Sequence, residues 1–213
     1  AIMQSRKIFQ RMGNYAIYRI AETIRVLLFI TASIVVFRFY PVTALMIVLL
    51  ALLNDDPIIS ISYDNVMYSR SPDRWNMRLT LSIATFLGVI GVFSSFFILF
   101  IGKELFLLSD ETLQSFIYLK LSVAGHLTVF VARTRSYAWS VKPSLALFLA
   151  VVITQLIATL ITVYGVLLPA LGWELALFVW VYAIIFFFIT DFLKVRVYDV
   201  LDHTDIMFKK GRQ

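Results

Sequence analysis

Long apolar stretches recur along the whole chain and are separated by short polar connections. A membrane-spanning helix requires about 20 mostly apolar residues, and six stretches reach that length. The alternation of apolar and polar residues that marks a transmembrane β-strand is absent. The pattern therefore predicts an all-α integral membrane protein, a bundle of six transmembrane helices. The expected spans are about residues 14–39, 42–62, 76–101, 112–132, 143–168 and 173–197.

We interpret residues 1–213 as one transmembrane domain, because no Gly/Ser linker or low-complexity tract divides the chain. Residues 1–13 are polar and basic, yet their pattern can continue as one helix into the first span, which predicts an extended cytoplasmic stalk. Residues 198–213 are expected to form a short cytoplasmic tail. The start at Ala1, without an initiator methionine, suggests a piece of a longer polypeptide.

Basic residues collect in the connections on one side of the expected bundle. Because cytoplasmic loops of membrane proteins are enriched in Lys and Arg, both termini are predicted to be cytoplasmic. Arg38 and Lys103 are the basic residues expected on the other side. The residues on the basic side are Arg6, Lys7, Arg11, Arg70, Arg74, Arg78, Arg133, Arg135, Lys142, Lys194, Arg196, Lys209, Lys210 and Arg212.

Composition narrows the class of protein further. Of the 213 residues, 61% are hydrophobic, whereas soluble domains contain roughly 45–50%; the expected surroundings are a lipid bilayer. The net charge of +6 follows from the basic connections, so nucleic acid is not an expected partner. Cysteine is absent and the two histidines, His126 and His203, are far apart, so neither a disulfide nor a metal site is expected.

Charged residues within the apolar spans are candidates for function, because an unpaired charge in the bilayer core costs at least about 2.5–3.5 kcal/mol. Lys120 could extend outward to the membrane surface, pair with an acid or act as a fixed internal cation. His126 is expected to be buried, neutral and hydrogen-bonded. The full set is Arg19, Glu22 and Arg25 in the first span, Asp55 and Asp56 in the second, Lys120 and His126 in the fourth, and Asp191 in the sixth.

Two of these charged residues, Asp191 and Arg19, favour a structural interpretation. Asp191 and Lys194 are three residues apart near the end of the sixth span, a spacing typical of a structural ion pair on one helix face. Arg19 is expected to reach the membrane surface or to pair with Glu22.

The second span carries a polar group, Asn54-Asp55-Asp56, in the middle of an apolar sequence and directly before Pro57. Proline has no N–H and clashes with the carbonyl four residues earlier, so Pro57 is expected to kink or unwind the helix and to free the Leu53 carbonyl. Broken helices with a carboxylate at mid-membrane depth form ion sites in transporters. The alternative is that Asp-Pro caps a helix that ends at this depth, but the apolar sequence resumes after Pro57.

Arg25 lies in the neighbouring first span and is a candidate partner for Asp55. A desolvated Asp55 would hold its proton, and the approach of Arg25 would favour the charged form and release it. A fixed ion pair that only ties two helices together is the other interpretation, and the residues alone leave both open. Arg19, Glu22 and Arg25 are spaced three apart and so share a helix face.

Several segments, in order along the chain, resemble the plasma-membrane proton-pumping P-type ATPases, from the stalk and fifth membrane helix to the tenth. The archaeal and bacterial branch is the most similar, since the chain lacks the long regulatory tail of the plant and fungal pumps. The matching segments are SRKIFQRMGNYAIYRIAETIR, ALLNDDPIISISYDNV, SPDRW, VFVARTRSYAW, TQLIATLITVYG and GWELALFVWVYAIIFFFITDFLKV.

The resemblance implies roles for particular residues. Asp55 matches the family's proton acceptor and donor, Arg25 the arginine that opposes back-flow, and Asn54 flanks the acceptor. Asp56 departs from the family, which often has Gly or an apolar residue there. A second carboxylate could share the proton, or it could face another helix or water.

The resemblance also implies what lies outside this chain. The family's DKTGT, TGE and GDGxND motifs do not occur here, and neither does a glycine-rich phosphate loop. This segment therefore contains no catalytic residue and is not expected to bind ATP or Mg²⁺, which the full-length pump would use. The N-terminal membrane helices and cytoplasmic catalytic domains of the same polypeptide would be its partners, and the plasma membrane its location.

Two other functions remain open. The first is a gradient-driven secondary transporter or channel. In that case the sequence that precedes Ala1 would contain no ATPase motif such as DKTGT. A P-type pump for another cation would require several oxygen ligands. Arg25 and Lys120 add positive charge next to the candidate site, which favours a proton over a divalent ion.

Overall fold

The computed structural model describes residues 2–67 and 76–210, and side chains in 2–67 and 76–201. Six helices there are long and apolar enough to cross a membrane, which confirms the predicted all-α bundle of six transmembrane helices. Arg70, Arg74, Arg212 and the SPDRW segment lie outside the described residues, as do the side chains of His203, Lys209 and Lys210. The helices are α1 Ile2–Phe37, α2 Ala44–Ser60, α3 Met77–Phe100, α4 Asp110–Ala132, α5 Leu145–Tyr164 and α6 Trp173–Lys210.

The first helix joins the polar N-terminal segment to the first span without interruption. α1 has 36 residues, which corresponds to a rod of about 54 Å at 1.5 Å per residue. It ends where Arg38 adopts a left-handed conformation, with φ of 50°. This conformation is strained for a residue other than glycine, and it turns the chain toward α2.

The second helix begins at an N-cap formed by Thr43, whose hydroxyl accepts a hydrogen bond from the Met46 amide at 3.3 Å. It continues as helix through Pro57 to Ser60. The chain is therefore not unwound at Pro57, contrary to that part of the prediction. Met46, Leu50, Asn54 and Pro57 are spaced three or four residues apart and form its buried face.

The ends of the other helices differ from the predicted spans. α3 is followed by a π-helical turn, Ile101–Leu105, so the third helical segment continues past residue 101. α5 begins after the N-cap Ser144 and ends at Gly165, whose φ of 71° is readily adopted only by glycine, so it is shorter than predicted. α6 continues to Lys210, so most of the expected tail is helical.

The fourth helix lies at the centre of the bundle and contacts all five of the others. α4 is also the most completely buried of the six helices. Its buried residues include polar side chains, notably Lys120 and His126, which occupy the interior beside apolar residues. α1 packs most extensively on α3, and α2 packs between α4 and α5.

Candidate functional site

The polar group of α2 is divided between two environments. Asn54 belongs to the buried face of the helix, and its Oδ1 has no hydrogen-bond partner among the described residues. Asp55 and Asp56 are exposed. Two carboxylates in the middle of a span therefore lie on a face that the described part of the chain leaves uncovered.

Arg25 is buried, and its ion pair differs from the expected one. Its Nη2 donates to Glu22 Oε1 at 2.6 Å and to the Leu121 carbonyl of α4 at 3.1 Å. The described ion pairs include neither Arg25–Asp55 nor Arg19–Glu22. Glu22 and Arg25 are three residues apart on α1, and the helix face that this spacing predicted for them is the one on which they pair.

Arg25 packs against two glycines, whose lack of a side chain leaves room for it. A Cβ on Gly91 of α3 would lie 2.5 Å from Arg25 Cδ, and a Cβ on Gly125 of α4 would lie 2.8 Å from Arg25 Nη2. The same Cβ on Gly125 would lie 3.2 Å from Glu22 Oε1. Such distances are far below ordinary van der Waals contact, so the arginine is held between two helix backbones that approach it closely.

Lys120 is 1% exposed, so it does not extend to the membrane surface. Its Nζ donates to Ser95 Oγ at 2.6 Å and lies 3.5 Å from the Gly91 carbonyl. The ion pairs of the described residues do not include it. The described geometry therefore matches neither the membrane surface nor an acid partner, and the Lys120 amine lies on polar oxygen atoms of α3. A cavity of about 40 Å³ adjoins both Arg25 and Lys120.

His126 is buried, and both of its ring nitrogens have partners. Nδ1 lies 2.9 Å from the Ser122 carbonyl of its own helix. Nε2 lies 3.2 Å from the Leu53 carbonyl of α2 and 3.1 Å from Thr154 Oγ1 of α5. Leu53 is four residues before Pro57, so this carbonyl is the one that the proline leaves without a helical partner.

A buried ion pair that the sequence did not reveal joins Asp64, after α2, to Arg133, after α4. Arg133 Nε donates to Asp64 Oδ2 at 2.7 Å, and Nη2 donates to Oδ1 at 3.1 Å. α1 contacts the same pair, since Arg11 donates to the Asp64 carbonyl at 2.8 Å and Asn14 to the Arg133 carbonyl at 2.8 Å. The partners are 69 residues apart, so no spacing rule could have paired them.

Asp191 and Lys194 form the structural pair that their spacing predicted. Lys194 Nζ lies 2.7 Å from Asp191 Oδ1, and both side chains are fully buried. Lys194 also donates to the Ser136 carbonyl at 2.7 Å, and Asp191 Oδ2 accepts from the Ala138 amide at 2.9 Å. The pair therefore attaches the connection after α4 to α6.

Within the part of the chain that the structure describes, no three His, Asp or Glu side chains come together in a way that could hold a metal ion. The polar interior of the described residues consists instead of buried ion pairs and of side chains that bond backbone groups and hydroxyl groups.

Six apolar helices around a polar interior define a multi-pass membrane protein. Over 92% of its length the chain is 49% identical to a protein of Methanocaldococcus jannaschii named as a cation-transporting ATPase. Over 94% of its length it is 31% identical to a plasma membrane ATPase of Dictyostelium discoideum. The chain spans about a quarter of these relatives, 24% and 22% of their lengths. No protein-family model matches it. The relatives support the resemblance to the membrane segment of a P-type ATPase.

Proposed function

We propose that the chain is the C-terminal membrane segment of a P-type ATPase that exports protons across the plasma membrane, with Asp55 as the proton-binding carboxylate. The observation that carries this proposal is the position of Asp55 and Asp56, exposed in the middle of a spanning helix. A carboxylate facing lipid would be costly. Another membrane helix or water must therefore face it, and both are expected beside an ion path.

The interior behind α2 also suits a proton path. Arg25 is a buried cation that pairs with the Glu22 carboxylate, and Lys120 places a second basic side chain in the same interior. A permanent positive charge in the core disfavours a second cation more than it disfavours a neutral, protonated carboxyl group. In the proposed cycle Arg25 opposes the return of the proton, and Asn54, whose Oδ1 is without a described partner, flanks the acceptor.

The remaining parts of the proposed pump belong to the rest of the polypeptide. The N-terminal membrane helices would cover the face of α2 that bears Asp55. The cytoplasmic domains would bind ATP and Mg²⁺ and carry the phosphorylated aspartate. In this arrangement both termini of the segment are cytoplasmic, and α1 transmits movement of the catalytic domains to Arg25 as a rigid element.

The test is Asp55→Asn in the full-length protein, reconstituted in sealed vesicles with a pH-sensitive dye. Asparagine keeps the shape but carries no exchangeable carboxyl proton, so ATP-driven acidification should be abolished while protein yield and ATP binding stay unchanged. Asp56→Asn is the matched control, with an expected activity within about threefold of the unaltered pump. ATP-driven acidification by Asp55→Asn at the unaltered rate would refute the assignment.

A pump for another cation is the second candidate, because the archaeal relative is named as a cation transporter. Asn54, Asp55 and Asp56 provide adjacent oxygen ligands of the kind that hard cations prefer. The same vesicles distinguish the candidates: ATP-driven uptake of Na⁺ or Ca²⁺ without acidification would favour the cation pump. Acidification or ion uptake that needs no ATP would favour a gradient-driven transporter or channel.

A further inference from the structure

The Leu53 carbonyl lacks its hydrogen-bond donor within α2. Pro57 provides no N–H for it, and in a bilayer no lipid group can replace the missing hydrogen bond. His126 Nε2 lies 3.2 Å from this oxygen, from a different helix. A hydrogen on Nε2 would replace the helical donor that the proline removes.

Nδ1 faces the Ser122 carbonyl and Nε2 the Leu53 carbonyl, and each carbonyl only accepts, so both bonds form together only when both ring nitrogens carry hydrogen. The neighbouring threonine is compatible with a hydrogen on Nε2. Thr154 Oγ1 donates to the Ala150 carbonyl at 2.7 Å, so its single hydrogen is used within its own helix. Its oxygen, 3.1 Å from His126 Nε2, is therefore an acceptor. The Nε2–H group of His126 faces two acceptors, Leu53 O and Thr154 Oγ1.

The ring itself has little freedom to move. His126 is 1% exposed, and Nδ1 is held 2.9 Å from the Ser122 carbonyl. The ring joins three helices, α4 through Ser122, α5 through Thr154 and α2 through Leu53. The Leu53 carbonyl lies one residue before Asn54 and two before Asp55. A bond that fixes this carbonyl fixes the backbone from which Asp55 projects.

We infer that His126 is a positioning residue for the Asp55 site: it holds the carbonyl freed by Pro57 and thereby sets where the Asp55 carboxylate points. This inference rests on the proposed function only in taking Asp55 as the working carboxylate. His126 itself need not contact the transported ion.

A double-mutant cycle with Pro57 tests this directly. Pro57→Ala supplies an N–H that can bond the Leu53 carbonyl within α2, so His126 should become dispensable there. His126→Leu removes the donor, whereas His126→Gln keeps an N–H donor on a side chain of similar reach. Thr162→Val is the matched control, since among the described residues that buried hydroxyl bonds only the Ala158 carbonyl of its own helix.

The readout is the rate at which Asp55 in the full-length protein reacts with a hydrophobic carbodiimide, measured by mass spectrometry at one fixed pH. It needs no turnover, so it is independent of which ion is pumped. His126→Leu should change the rate by at least about fivefold, the equivalent of one hydrogen bond of about 1 kcal/mol. His126→Gln and Thr162→Val should stay within about twofold.

In the Pro57→Ala background, His126→Leu should change the rate by less than about twofold. An equal effect of His126→Leu in both backgrounds would overturn the inference, as would equal effects of His126→Gln and His126→Leu. If His126→Leu is not recovered from membranes, His126→Asn replaces it, because its shorter side chain does not reach Leu53. These results are separate from the proton assay, in which failure of Asp55→Asn to block transport would refute the proposed function alone.

Discussion

A methyl group added at Gly125 should disrupt the burial of Arg25. The new Cβ would lie 2.8 Å from Arg25 Nη2 and 3.2 Å from Glu22 Oε1. The arginine cannot withdraw easily, because Nη2 is bonded to Glu22 and Leu121 and its Cδ lies close to Gly91. Either the ion pair must open or α4 must move away from α1.

The size of the effect follows from three opposing contributions. Overpacking a filled interior costs about 1–3 kcal/mol. Loss of a charge-assisted hydrogen bond of Arg25 costs a further 1.5–3 kcal/mol or so. Replacing glycine by alanine in a helix returns about 1 kcal/mol. We expect Gly125→Ala to lower the free energy of unfolding by about 1.5–5 kcal/mol.

The measurement is unfolding of the purified full-length protein in mixed micelles, followed by tryptophan fluorescence. Gly13→Ala is the matched control, because nothing lies within 4 Å of a Cβ built at Gly13 in α1. Gly13→Ala should leave the free energy of unfolding unchanged or raise it by up to about 1 kcal/mol. If Gly125→Ala were as stable as Gly13→Ala, Arg25 would not be confined by the backbone of α4.

The same measurement checks two further changes at buried ion pairs. Arg133→Met leaves the Asp64 carboxylate buried without its guanidinium and should cost about 3–5 kcal/mol, whereas Arg133→Met with Asp64→Asn should recover part of that loss; no recovery would mean that Arg133 acts through other contacts. Lys194→Met should destabilise by a similar 3–5 kcal/mol or so because the buried Asp191 carboxylate loses its lysine partner, and a loss below about 1 kcal/mol would refute this.

The number and type of the helices could be predicted from the sequence because a bilayer imposes a strict length on apolar segments. The ends of the helices could not. α6 continues into polar sequence because nothing after residue 197 breaks the helix before Lys210. The π-helical turn at Ile101–Leu105 has no signal in the sequence pattern, and its Gly102 packs closely against α4, where an added Cβ would lie 2.6 Å from Leu113 Cδ1.

The candidate site was predictable in its residues and less so in its pairings. Asp55 could be identified from the sequence because a carboxylate is rare within an apolar span. Which charge Arg25 contacts depends on helix rotation, and the structure pairs it with Glu22 on its own helix. The bond between His126 and the Leu53 carbonyl joins residues 73 positions apart, so only the packed bundle could reveal it.

The central position of α4 has a consequence for how the protein enters the membrane. It has the lowest mean hydropathy of the six spans, and its Lys120 ammonium adds about 2.5–3.5 kcal/mol to the insertion free energy of a lone helix. That cost falls once Ser95 of α3 provides a partner. We therefore expect α4 to remain at the translocon until α3 is beside it, so that the helix with the polar interior is inserted as one of a pair.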